Sequence, residues 1–344
     1  MNFKNRISAL AAVTLAASLA LSACGGDDSS GSASGGSGGD SGGTYTFLPK
    51  NLGNPYFDTS DNAGKAAVEA FGGTYQEVGP DKGSPDAQVP FINTAAQQGV
   101  KALIVSANDP KAICDALNEA SDAGVKIITF DSDTDVDCRD MYVQAADAAG
   151  IAKAQVDLIA DQIGDSGEVA ILSAAANATN QNAWIDLMET DLADNHPNIQ
   201  LVDTVYGDDD DQTSFDKTAA LLQSHPDLKG IISPTTVGIA AAARYLSTSD
   251  AKGKVALTGL GTPNQMREYV KDGTVTAFAL WNPADLGTLA AYAAKAMVDG
   301  DISGKEGDSF SAGDLGDFTI GKDGAVLLGD PYVFDADNID DFDF

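Results

Sequence analysis

The chain has 344 residues, and 51 acidic side chains against 20 basic ones give a formal net charge of −31. Phosphate recognition needs clustered Lys and Arg, so this balance excludes a nucleic-acid or anionic-lipid binding surface. A hydrophobic content of 43% is ordinary for a globular protein, and the length suffices for two lobes of usual size.

Lys4 and Arg6 open the chain, and an apolar Ala/Leu-rich run covers residues 7–21. Roughly 15 apolar residues fall short of the about 20 that a relaxed membrane span needs, so the run reads as an export signal. It ends in Leu21-Ser22-Ala23-Cys24, small residues before a lone cysteine, which resembles a bacterial lipobox. On that reading residues 1–23 are a lipoprotein signal peptide and Cys24 is the lipidation point. Residues 25–43 are almost wholly Gly, Ser and Asp, so 24–43 reads as a flexible tether spanning roughly 25 Å. The plainer alternative is a cleaved signal followed by a disordered tail. Either way the protein is expected to be exported, and the lipobox places it on the outer face of the bacterial cytoplasmic membrane.

From Tyr45 onward, strand-like and helical runs alternate. Strands are expected over 45–49, 74–78, 102–106 and 126–131, with a short one over 141–143, and helices over 60–71, 84–98 and 110–123. Most of these strands are nearly continuous in apolar residues, as a parallel sheet covered on both faces requires. The alternation then restarts. Helices are expected over 148–163, 180–194, 211–223, 236–246, 265–271 and 284–298. Strands are expected over 168–172, 199–206, 230–233, 254–259 and 275–281. Beyond Gly300 the chain is loop-rich, with an extended stretch over 324–334 and an acidic end over 335–344. Two consecutive sets of βα units predict an α/β fold of two doubly wound parallel-sheet lobes.

Cys24 aside, Cys114 and Cys138 remain as a pair in an oxidising compartment. A disulfide between them would close a loop of roughly 25 residues and stabilise by about 3 kcal/mol. His196 and His225 lie far from both cysteines in sequence, and each precedes a proline in a polar context, so no metal is expected. The acidic run 208–211 stands beside an expected helix start, where Asp caps amides and favours the helix dipole, rather than marking a calcium site. From residue 44 onward the chain has no G-x-S-x-G elbow, H-E-x-x-H, P-loop or G-x-G-x-x-G after a strand, so neither an enzyme nor a cofactor is expected.

Binding is the better reading, because ligands of doubly wound sheets sit outside the C-terminal ends of the strands. The first strand runs into Pro49-Lys50-Asn51-Leu52-Gly53-Asn54-Pro55-Tyr56-Phe57, rich in donors and aromatics. The fourth ends at Phe130-Asp131-Ser132-Asp133, where Asp131 reads as a ligand residue and Asp133 as a turn residue. Asn180-Gln181-Asn182, Pro234-Thr235-Thr236 and Trp281-Asn282 follow later strands. Amides and carboxylates pair with sugar hydroxyls while aromatic rings pack on C–H faces, so the set suits a polyhydroxylated ligand. The candidates are Lys50, Asn51, Phe57, Asp131, Asn180, Gln181, Pro234, Thr236, Trp281 and Asn282.

Three segments carry a family resemblance. Residues 51–57, the strand end Ile127-Ile128-Thr129-Phe130-Asp131-Ser132-Asp133-Thr134 and residues 260–267 (LGTPNQMR) resemble the periplasmic sugar-binding proteins of the ribose type. The likeness runs from Tyr45 to the closing DNIDDFDF. Residues 178–185 (ATNQNAWI), 231–242 (IISPTTVGIAAA) and 278–286 (FALWNPADL) resemble, more narrowly, the rhamnose-binding branch of carbohydrate importers. A sister branch binds the signal autoinducer-2, with a lysine, an aspartate, an Asp-Gln pair and a Pro-x-Ala at its site. Here the matching positions carry Lys50, Asp131, Asn180 with Gln181, and Pro234 with Thr236. The Asn180 and Thr236 departures favour a hexose-sized ligand. Ser132 stands where the ribose binders place an arginine that grips hydroxyls, which argues against ribose.

The resemblance implies a type I binding fold whose lobes are joined by three crossing strands near residues 144, 282 and 326. Lobe 1 is then 44–144 plus about 282–326, and lobe 2 is 145–281 plus about 327–344. It further implies a monomer that binds a monosaccharide, rhamnose or a close relative, and passes it to an ABC permease with its ATPase.

Overall fold

The computed structural model describes residues 42–344; the signal, lipobox and most of the tether lie outside them. The first run of elements is β1 (Thr44–Leu48), α1 (Pro55–Ala70), β2 (Thr74–Glu77), α2 (Val89–Gln98), β3 (Ala102–Val105), α3 (Cys114–Asp122), β4 (Lys126–Phe130) and β5 (Met141–Gln144). The chain then crosses to α4 (Ala148–Ile163), β6 (Gly167–Ser173), α5 (Thr179–Asn195), β7 (Ile199–Tyr206), α6 (Asp211–Ser224), β8 (Leu228–Ser233), α7 (Thr236–Ser247), β9 (Ala256–Gly259), α8 (Pro263–Lys271) and β10 (Phe278–Leu280). It crosses back to α9 (Pro283–Asp299), β11 (Ser309–Ser311), β12 (Asp317–Thr319) and β13 (Ala325–Leu327), and a last time to β14 (Tyr332–Phe334).

These elements build two parallel-sheet lobes. The first has the strand order β13-β5-β4-β3-β1-β2, and each neighbouring pair is parallel. The second has the order β7-β6-β8-β9, extended through a parallel Leu260–Ala279 bridge to the antiparallel pair β10–β14. Strand β3 is buried at every position and β4 at all but its first, so the apolar continuity of both follows from helices covering each face. The order reverses between β1 and β3 in one lobe and between β6 and β8 in the other. Such reversals leave a crevice at the strand ends, and the crevices of the two lobes face each other.

Local chemistry fixes where the helices begin. The Asn54 side chain accepts the Tyr56 amide at 3.1 Å, with Pro55 in the first helical turn, so α1 starts five residues ahead of the expected 60 and carries Tyr56 and Phe57 in its opening turn. Helix α2 starts later than the expected 84, because Gln88 is drawn inward. Its side chain donates to the Pro49 and Ser106 carbonyls and accepts the Asn108 amide. Helix α3 is likewise shorter than expected, since Asp109 gathers the Lys111 and Ala112 amides into a turn ahead of it. The extended stretch over 324–334 proves to be two strands in different lobes, β13 and β14. Cys114 and Cys138 are joined by a disulfide. Among the described residues no helix is long and apolar enough to cross a membrane.

Candidate ligand-binding site

A cavity lies between the lobes, lined by Lys50, Asn54, Tyr56, Phe57, Asp131, Asn180, Gln181, Trp184, Asp209, Pro234, Thr235, Thr236, Leu260, Leu280 and Trp281. Every wall residue lies at or just beyond the C-terminal end of a strand, or in the first turns of the helix that follows. That is where two doubly wound sheets present side chains and free amides to a shared crevice.

On the first-lobe side the centre is Asp131, one residue past β4, with φ of 60°. That left-handed backbone costs most L-residues about 1–2 kcal/mol, and it is held by its surroundings. The Asp131 carbonyl accepts the Tyr142 hydroxyl at 3.0 Å. Its carboxylate accepts Tyr56 OH on Oδ1 at 2.9 Å and Ser106 Oγ on Oδ2 at 2.8 Å. Tyr56 OH in turn accepts the Trp281 indole N–H at 2.8 Å. Burial, with the Asp131 charge beside it, pushes the Tyr56 hydroxyl well above its ordinary pKa, so it stays a donor. Each carboxylate oxygen thus has one donor from the protein and capacity left for a ligand hydroxyl.

The second-lobe side is bonded differently. Gln181 is buried, and its Oε1 accepts Ser173 Oγ at 2.6 Å and the Ala174 amide at 2.8 Å. Asn180 Oδ1 accepts the Gln181 amide and, from the other lobe, Lys50 Nζ at 3.1 Å. Asp209 also has a left-handed backbone, with φ of 48°, as does Asp208 before it, at 55°. The Thr235 hydroxyl donates to Asp209. Burial raises the Asp209 pKa, against the pull of that hydroxyl and of Lys50. The aromatic side is continuous: Tyr56 and Phe57 rings lie 5.1 Å apart, Tyr56 and Trp281 6.1 Å, and Trp184 and Trp281 6.0 Å.

Eight of the ten residues picked out from sequence line this one cavity: Lys50, Phe57, Asp131, Asn180, Gln181, Pro234, Thr236 and Trp281. Two stand apart. Asn51 lines the neighbouring cleft near Asn108 and Asn177, and Asn282 is committed to capping α9, accepting the Ala284 amide at 3.0 Å. Trp281 is 3% exposed with its N–H already bonded to Tyr56, so it backs the cavity more than it faces it. Asp133 bonds Arg139 instead of lining the cavity. Sequence reading missed Asp209, which sits inside the acidic run taken as a helix cap; Asp210 does that work, accepting the Thr213 amide at 2.8 Å. It also passed over Leu260 and Leu280, whose strand-end positions were the available signal, and Trp184, which lies in the second turn of α5.

Two carboxylates, an ammonium, side-chain amides and threonine hydroxyls share the lining with aromatic and leucine side chains. These are the groups that a site for a small polyhydroxylated molecule needs. Residues 45–302 match the periplasmic binding protein domain, and the chain belongs to that family; it is a binding protein, not an enzyme.

Within the family it groups with the solute-binding proteins of sugar ABC transporters. A sugar ABC transporter protein from Actinomyces odontolyticus is 54% identical, with a TM-score of 0.72 over 88% of this chain and 97% of that one. A solute-binding protein from Clostridium phytofermentas with bound L-rhamnose is 40% identical, with a TM-score of 0.85 over 87% and 98%. LsrB from Clostridium saccharobutylicum in complex with AI-2 is 27% identical, with a TM-score of 0.83 over 88% and 100%. The D-allose-binding periplasmic protein of Escherichia coli is 24% identical over 76% of this chain and 85% of its own length.

Proposed function

We propose that this protein is the lipid-anchored, monomeric substrate-binding component of an ABC sugar importer and that its ligand is L-rhamnose. The observation that carries the reading is that one cavity is lined both by charged and amide groups and by aromatic and leucine side chains. Asp131, Asp209, Lys50 and Asn180 supply acceptors and donors for ring hydroxyls. Phe57, Trp184, Leu260 and Leu280 supply apolar surface suited to a methyl where most hexoses carry a hydroxymethyl. The likeness to a rhamnose-bound protein supports it.

Binding couples to transport through the lobes. The Lys50–Asn180 bond and the Asn177 Nδ2 contact to the Asn108 carbonyl at 3.4 Å already join them around the cleft. A ligand touching both walls favours the closed form by its differential affinity for closed over open. The closed complex then docks on a membrane permease powered by an ATPase, while Cys24 tethers it to the outer face of the cytoplasmic membrane.

A second reading, an autoinducer-2 receptor, draws on Lys50, Asp131, Gln181 and Pro234 sharing the cavity and on the likeness to LsrB. A thermal-shift panel with L-rhamnose, fucose, ribose, xylose, galactose and autoinducer-2 separates the two. A ligand at a hundred times its Kd stabilises by about 2.7 kcal/mol. The expected result is a rise in Tm with rhamnose. A rise with autoinducer-2 and none with rhamnose overturns the assignment.

A further inference from the structure

Arg139 lies outside the cavity, directly after Cys138, and its side chain is 3% exposed. Its guanidinium grips Asp133 with two prongs, Nε to Oδ1 at 2.6 Å and Nη2 to Oδ2 at 2.7 Å. The third nitrogen, Nη1, donates to the Asp323 carbonyl at 2.9 Å, in the turn that leads into β13 and the last crossing between lobes. Arg139 Cζ also stands 5.6 Å from the centre of the Tyr142 ring.

Two of these contacts converge on Asp131. Tyr142, under the guanidinium, donates its hydroxyl to the Asp131 carbonyl. Asp133, two residues further on, is fixed by Arg139 and by Thr129 Oγ1 at 2.5 Å. Thr129 and Asp133 bracket the left-handed turn at Asp131, so the Arg139 fork ties down its exit while Tyr142 holds its middle. The disulfide to Cys114 anchors the residue before Arg139 on α3, which keeps the fork from swinging away.

We propose that Arg139 is a positioning residue for ligand recognition: through Asp133 and Tyr142 it sets the direction of the Asp131 carboxylate, and through Asp323 it ties that direction to the chain crossing between the lobes. The proposal rests on Asp131 holding the ligand. Lysine cannot take the place of this arginine, because an ammonium is a point donor and not a planar fork.

The test uses the whole protein and the variants Arg139→Gln, Arg139→Lys and Asp133→Asn, each checked for folding by denaturation. Calorimetry measures Kd for L-rhamnose, and hydrogen exchange on ligand-free protein follows residues 128–135. Misaligning one charge-assisted acceptor should raise Kd about tenfold in Arg139→Gln and nearly as much in Arg139→Lys. Exchange over 130–134 should quicken while the rest of the lobe stays protected. The double variant Arg139→Gln/Asp133→Asn should be no worse than the larger single one, as expected for residues acting through one contact.

A folded Arg139→Gln protein with Kd within about twofold of wild type and unchanged exchange at 130–134 overturns the proposal, even if its denaturation midpoint falls. If Arg139→Gln does not fold, Asp133→Asn decides on the same two readouts. If the wild type does not bind L-rhamnose, that failure belongs to the proposed ligand, and exchange alone decides the role of Arg139.

Discussion

The two walls of the cavity hold similar groups in different states of completion. On the first-lobe wall Asp131 has a protein donor on each oxygen, and the chain Trp281–Tyr56–Asp131–Ser106 is closed from end to end. On the second-lobe wall Asp209 has the Thr235 hydroxyl, and burial raises its pKa. A carboxylate bonded in advance is ready to accept hydroxyls without reorganising, whereas one left short of donors gains most when a ligand supplies them. The contrast predicts an order of capture for the proposed ligand: it should meet the finished wall first, with the second lobe completing its own bonds by closing over it.

That order ranks the consequences of mutation. Removing the finished wall's acceptor should do the most damage. Asp131→Ala takes away a charge-assisted bond, about 1.5–3 kcal/mol, and strands Tyr56 OH and Ser106 Oγ as well. L-rhamnose binding should weaken about tenfold to a hundredfold or more, measured by isothermal titration. Unchanged binding would remove Asp131 from the site altogether.

Asp209→Asn probes the unfinished wall and should cost less, about threefold to tenfold in Kd, because a neutral acceptor replaces a charged one whose own burial was unfavourable. The same substitution should leave the initial association rate near wild type and act on dissociation, since the second lobe engages after encounter. Stopped-flow fluorescence of the tryptophans near the cavity would measure both rates. A loss confined to association would reverse the order of capture.

Sequence made the finished wall more legible than the other. Its lysine and aspartate follow within two residues of strands β1 and β4, whose apolar runs are unmistakable; in the second lobe the elements α4 and β7 match their expected bounds to the residue, yet the key carboxylate beyond β7 was not picked out. Asp209 was hidden because four consecutive aspartates before a helix satisfy the capping rule, and nothing local says which of them caps. Only the fold shows Asp210 turned to the Thr213 amide and Asp209 turned into the crevice. Asn54 shows the opposite error: a cap signal, Asn before Pro, lay inside a loop already explained by binding, so the start of α1 was placed too late. Gln88 and Arg139 were silent for a third reason. Their partners lie on other segments, and long-range polar bonds leave no periodic trace.

Asp61 sharpens the comparison from outside the cavity. It is fully buried on α1, one turn beyond Phe57; Oδ1 accepts Ser60 Oγ at 2.8 Å, while Oδ2 has no partner. Burial above all pushes its pKa well up, with Glu77, Asp58 and Asp131 adding to the rise. A carboxyl whose folded pKa is raised contributes stability below its unfolded pKa of about 4, and that contribution is lost as pH climbs through the folded value. Asp61→Asn should therefore stabilise the protein at pH 7, because the amide fits the same space without a charge to bury. The gain should shrink toward pH 4, as read by urea denaturation at the two pH values. Its effect on Kd should stay within about twofold, because the Asp131 network does not pass through it. A large change in Kd with no change in stability would mean that the first wall is still unsettled before the ligand arrives, and the contrast between the two walls would fail.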